Sequence, residues 1–296
     1  MRIGAFELKE PMPELNEPYV FAILRPWIDV SNVGSLILSD LEARFGAKEL
    51  ASLAKPGHFF DFTRYRPVIQ TLGEMRKVTI PNTIITYAKR QAGNDFLFVR
   101  LLEPHNQGEA YTSSIWQVLK KLDIRRYCLI GSMSDMVPHT RPLLISGNIG
   151  SGSASQALGK MGVYQSRYQG PTTICNLITQ AAQKAGIEVL TLIVHLPQYT
   201  DFEEDYQGVI ALSGVLGELY DIPVDAEDNQ KAASQSRSVD AALQDNPKLK
   251  AVVTELEKHS EQRAAARGGK TESPQLSPEV ERFLKEQEDR FRGSSS

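Results

Sequence analysis

The feature that narrows the fold most is a repeated alternation. Short apolar runs recur along the chain, and stretches with apolar residues at helical spacing separate them. Residues 19–24 (Tyr-Val-Phe-Ala-Ile-Leu) are apolar at every position, the pattern of a strand buried on both faces. The run ends at Arg25-Pro26-Trp27. Ser31 or Asn32 is then placed to cap a helix with Val33, Leu36, Ile37, Leu41 and Phe45 on one face. A strand closely followed by a helix is the βα unit of an open α/β sheet. Further strands are expected at 83–87, 95–102, 127–130 (ending at Gly131), 143–145 and 188–196. Helices are expected at 114–122, 172–185 (stopped by Gly186) and 206–219. Part of the sheet should be parallel, while 83–87 and 95–102 are close enough in sequence to pair antiparallel. The first eighteen residues, with three prolines and four glutamates, read as an extended lead-in. The α/β body spans 1–224.

After Pro223 the composition turns to Ala, Gln, Glu, Lys and Ser. Residues 225–266 read as a helical hairpin. Its first helix carries Val239, Ala242 and Leu243. The second is capped by Asn246, opens at Pro247 and carries Leu249, Val252, Val253 and Leu256. A flexible linker at 267–277 and a tail helix within 278–296 follow, with a disordered end. Val280, Phe283, Leu284 and Phe291 line one side of that tail. It is expected to dock on the chain's own body, a sister subunit or another protein.

Composition excludes several classes. A net charge of -3 over 296 residues lacks the basic excess of a nucleic-acid binder. No run approaches the ~18 apolar residues of a membrane span. Glu7, Lys9 and Glu10 interrupt any signal-peptide apolar core, so a cytoplasmic protein is expected. Cys128 and Cys175 sit in apolar runs, the place of inert thiols. There is no His-Glu-x-x-His, no Cys-x-x-Cys and no carboxylate-rich calcium loop, so no metal or cofactor is expected.

The polar residues concentrate just past strand ends, where open α/β sheets place their ligand crevices. One group is Asp135, His139, Thr140 and Arg141, held between Pro138 and Pro142. The other is Glu103 and His105. These side chains suit acid–base work or an anionic ligand, and equally a structural network that pins long loops. Arg141 should pair with Asp135 or Glu103. Ser132 and Ser134 follow a strand and are expected at the exposed sheet edge. They lack the Gly-x-Ser-x-Gly spacing of a nucleophile elbow, so a plain turn is the simpler reading. Gly147, Gly150 and Gly152 could form an anion loop before a helix, or merely a flexible connection. His195 reads as a satisfied core histidine. The acidic run 201–205 caps the next helix, and Tyr164, Tyr168 and Tyr199 carry no clear meaning.

Several segments taken together resemble a known family. They are Phe59-Phe60-Asp61-Phe62-Thr63-Arg64-Tyr65-Arg66-Pro67, Leu101-Leu102-Glu103-Pro104, Gly131 through Pro142 with its Pro-His-Thr-Arg-Pro ending, Ser166-Arg167-Tyr168-Gln169-Gly170-Pro171-Thr172, and Leu196-Pro197-Gln198-Tyr199. In this order they resemble the proteasome assembly chaperone 2-like family in its bacterial form, over roughly residues 19–225. Leu101 stands where the family has Gly, and Gln198 where it has His. The resemblance implies a three-layer α/β/α sandwich similar to the phosphorylase/hydrolase-like fold, with a C-terminal helical extension. It also implies a homo-oligomer, plausibly a trimer, and chaperone-like protein interaction in place of catalysis. A nucleoside-phosphorylase-like enzyme or small-ligand binder using the strand-end crevice is the alternative. Some relatives dock through a terminal hydrophobic-Tyr-any tail, which Arg292-Gly293-Ser294-Ser295-Ser296 does not reproduce.

Overall fold

The computed structural model describes residues 1–73, 75–148, 154–223 and 225–266. The opening segment is not merely a lead-in. It folds back as β1 (Arg2–Ile3) and β2 (Phe6–Leu8), with Phe6 and Leu8 entering the core. β3 (Tyr19–Arg25) is the first apolar run, and α1 (Val33–Arg44) follows. Neither Ser31 nor Asn32 caps α1, because both have left-handed backbone, with φ of 52° and 56°. The buried Asp29 carboxylate caps it instead, accepting from Gly34 N at 2.7 Å, Ser35 N at 3.2 Å and Ser35 Oγ at 2.5 Å.

β4 (Lys48–Leu53) comes next, then β5 (Val68–Leu72) and β6 (Met75–Thr79), which pair only with each other. β7 (Ile84–Ala88), β8 (Phe96–Leu102) and α2 (Gly108–Lys121) continue the chain. β9 (Arg126–Asp135) does not stop at Gly131; it carries on to Asp135. β10 (Ile145–Gly147), α3 (Ala154–Lys160), β11 (Tyr164–Gln165), α4 (Cys175–Lys184), β12 (Glu188–Pro197) and α5 (Tyr206–Tyr220) complete the body. Asp205 caps α5, accepting from Gly208 N at 2.8 Å. The extension is α6 (Ala226–Asp245) and α7 (Pro247–Ala266), with Asn246 Oδ1 accepting from Leu249 N at 3.1 Å.

Ten strands form one sheet in the order β1-β2-β4-β7-β8-β3-β9-β12-β10-β11. Its centre, β8-β3-β9-β12, is parallel, and β7 joins β8 antiparallel. The central runs are continuous because both sheet faces are covered. Val20, Ala22 and Leu24 of β3 join Leu97, Val99 and Leu101 of β8 and Tyr127 of β9 under α2 and α4. Phe21, Ile23, Phe98, Cys128 and Ile130 take the other face under α1, α3 and α5. Burial pushes the Cys128 thiol up to about 12, so it stays protonated and unreactive.

α6 packs on α5 but buries only Ala232, and α7 buries Val252, Val253 and Leu256. That is a small apolar anchor for two helices, so their docking leans on polar contacts. Gln207 Nε2 donates to Ala232 O at 3.1 Å and to Ser236 Oγ at 2.7 Å. Among the described residues no helix is long and apolar enough to cross a membrane. The tail residues Val280, Phe283, Leu284 and Phe291, and the loop glycines Gly150 and Gly152, lie outside the described residues.

Candidate functional site

β9 and β12 run in parallel register, with His195 opposite Met133 and Pro197 opposite Asp135. Asp135 and His195 therefore sit on adjacent strands at their C-terminal ends. His195 Nδ1 lies 2.8 Å from Asp135 Oδ2. A carboxylate can only accept, so Nδ1 carries a proton. The other ring nitrogen, Nε2, faces Ser146 Oγ at 2.7 Å and Tyr164 OH at 3.0 Å. Ser146, His195 and Asp135 thus stand in the order of a hydrolase relay. Ser146, however, is buried within β10 between paired neighbours, not lifted on the sharp strand-to-helix turn that presents a nucleophile. The four groups tie the ends of β9, β10, β11 and β12 together. His195 is buried, like a core histidine, but both its ring nitrogens are bonded to polar side chains.

Asp135 also meets Arg263 of α7, Nη1 to Oδ2 at 3.2 Å. Burial alone would raise its pKa. The hydrogen bond from His195 and the charge of Arg263 outweigh that and hold it at about 2.

The residues after Asp135 continue the theme. Tyr199 OH accepts from the His139 backbone N–H at 2.7 Å and lies 2.6 Å from His139 Nδ1. Asp240 Oδ1 of α6, an acceptor only, takes the Nε2 proton at 3.2 Å, so in the neutral ring Nδ1 accepts from the phenol. Thr140 Oγ1 donates to Glu257 Oε1 at 2.5 Å, and Arg141 Nη2 to Glu261 Oε1 at 2.7 Å. Glu257 and Glu261 are one turn apart on the same face of α7. The Pro-His-Thr-Arg-Pro segment is thus a clamp that receives the α6–α7 hairpin.

Arg141 does have a carboxylate partner, but it is Glu261, not Asp135 or Glu103, and the pair is exposed at 45% and 65%. Arg141→Ala is therefore expected to change stability by less than about 1 kcal/mol. Urea unfolding checks this, and a loss above about 3 kcal/mol would show a buried pair.

Glu103 and His105 do not join this cluster. β3 separates the ends of β8 and β9. Glu103 Oε1 accepts from Ile174 N at 3.0 Å at the start of α4, and partial burial raises its pKa. His105 Nδ1 accepts from Asp61 N at 3.1 Å. The two line a separate open cleft of about 770 Å³ with Trp27, Phe60 and Arg64. Ser132 belongs to neither site. It is not at an edge but fully buried, and its Oγ donates to Val30 O at 2.6 Å. Gly147 ends β10, pressed against β12.

Tyr164 and Tyr199, which carried no clear meaning in the sequence, prove to be hydrogen-bond partners of the two histidines. Tyr199 ends a family-like segment and Tyr164 lies two residues before another, and that is the available signal. Asp240, Glu257, Glu261 and Arg263 gave none.

The family model described as the PAC2 family matches residues 23–243. No significant match was found among curated proteins. Among solved structures, the chain is similar to the Mycobacterium tuberculosis protein of unknown function Rv2714, at 23% identity and TM-score 0.76, over 97% of each chain. It is similar to a PAC2 family protein from Streptomyces avermitilis MA, at 23% identity and TM-score 0.68, over 76% of this chain and 95% of that one. It is also similar to the Mycobacterium tuberculosis proteasome-assembly chaperone homologue Rv2125, at 23% identity and TM-score 0.70, over 79% of this chain and 99% of that one. At these identities the structural likenesses establish the fold. The family model spans well over half of the sequence, and the segments it covers include both strand-end clusters: the chain belongs to the PAC2 family.

Proposed function

We propose that the chain is an assembly-chaperone-like scaffold that works as a homo-oligomer on a protein partner, without catalysis. The observation that carries this reading is the use to which the richest polar motif is put. His139, Thr140 and Arg141 spend their side chains on Asp240, Glu257 and Glu261, positioning a helical hairpin. Family membership supports the same reading, as does likeness to a proteasome-assembly chaperone homologue.

The β5–β6 ribbon adds to it. A lone two-stranded hairpin is marginal in water, and exposed apolar side chains grouped on one element mark interaction surfaces. Val68, Ile69, Met75 and Val78 of the ribbon are all more than half exposed, at 55%, 55%, 75% and 57%. Light scattering on the eluted full chain tests the oligomer. A discrete assembly, a trimer for instance, is expected and should dissociate when Ile69 and Val78 are both changed to Asp. A monomer at every concentration would contradict the reading.

A further inference from the structure

A cavity of about 300 Å³ lies beyond the C-terminal ends of β9 and β12, between α5 and α6. Leu143, Met161, Phe202, Ile210 and Val239 line it and are each only half-buried, so they turn apolar surface toward the void. Water held against such a surface is displaced favourably by an apolar ligand. At about 30 Å³ per water-sized group, roughly ten such groups fill the space.

The polar lining sets the ligand's charge. Arg141 is the cation of this lining, and among the described residues Glu261 is its only hydrogen-bond partner. A carboxylate matches the guanidinium fork and would take the place that Glu261 holds. Asp205 also lines the cavity, so a multiply charged anion is disfavoured.

We propose that this cavity binds a medium-chain aliphatic carboxylate, with its head on Arg141 and its chain between Ile210 of α5 and Val239 of α6. Such a ligand touches both the body and α6, so binding it adds a contact between α5 and α6 while it releases Glu261 of α7 from Arg141. The proposal is independent of the scaffold reading, which stands or falls with the oligomer.

Calorimetry and thermal shift on the full chain, with sodium decanoate, decan-1-ol and sodium acetate, test it. Decanoate is expected to bind saturably, one per chain, and to raise the melting temperature. Decanol should bind about five- to tenfold more weakly and acetate not measurably. Arg141→Gln should reduce decanoate binding to the level of decanol. Glu261→Gln, which removes the competing carboxylate, should tighten it. Ala211→Trp, which fills the cavity, should abolish both. Absence of saturable decanoate binding below about 1 mM in the unaltered chain would overturn the proposal. So would Glu261→Gln leaving the affinity unchanged, or a folded Ala211→Trp variant that still binds, and these last two arms do not depend on each other.

Discussion

Gly147→Ala is expected to cost more than about 4 kcal/mol or to prevent folding. A Cβ there would lie 1.5 Å from Thr191 O, a backbone atom of the neighbouring β12. No rotamer change relieves such a clash. β10 would have to leave β12, and Ser146 would leave His195 with it. Gly159 of α3 and Gly214 of α5 are the controls. Added Cβ atoms there meet nothing within 4 Å, and helix propensity favours Ala by up to about 1 kcal/mol. Urea titration should therefore show Gly147→Ala far below the parent chain and the other two at or above it. Equal stability of all three would mean that β10 does not pack against β12 as described.

The second large effect is expected at Asp135. Replacing it with Ala strands the His195 Nδ1 proton and the Arg263 guanidinium together. The side chain is only 18% exposed, so a loss of about 3 kcal/mol is expected. Its pH dependence has a definite sign. Asp135 has a folded pKa of about 2 against an ordinary 3.8. A depressed carboxylate adds stability above its unfolded pKa and loses it as pH falls through the folded one. About 2 kcal/mol should thus disappear between pH 4 and pH 2. Asp135→Asn should flatten that window while keeping an acceptor for His195. Acid titration of the unfolding free energy in both variants measures this. A loss below about 1 kcal/mol for Asp135→Ala would contradict a buried carboxylate holding His195 and Arg263.

The parts of this molecule that were legible in its sequence share a physical property. β3, β8, β9 and β12 are buried on both faces over most of their length, so each carries a mainly apolar run that stands out against polar connections. β4 (Lys-Glu-Leu-Ala-Ser-Leu) lies away from the parallel centre and mixes charges with core residues, which hides it. β5 and β6 leave Val68, Ile69, Met75 and Val78 in solvent, so no burial pattern marks them. The α1 cap is not legible from spacing, because Asp29 reaches past two left-handed residues to bond the first turn.

At the site, the sequence singled out Asp135, His139, Thr140 and Arg141 by type and by their prolines. Their partners on α6 and α7 are 101 to 128 residues away along the chain, on helices whose polar faces look like ordinary solvated surface. The pairing of His195 with Asp135 follows from the register between β12 and β9, which only the folded sheet provides. Grouping Glu103 and His105 with them assumed one crevice, whereas β3 stands between the two strand ends.

Hydrogen–deuterium exchange across α6 and α7 tests the clamp most directly. The comparison is between the parent chain and the triple variant His139→Ala, Thr140→Ala, Arg141→Ala. Three polar contacts at a few tenths to about 1 kcal/mol each sum to about 1–3 kcal/mol, a change of roughly five- to hundredfold in local opening. Residues 226–266 should therefore exchange at least about fivefold faster in the variant, while β3, β8, β9 and β12 keep their protection. Unchanged exchange in the hairpin, or an equal acceleration in the central strands, would contradict the account.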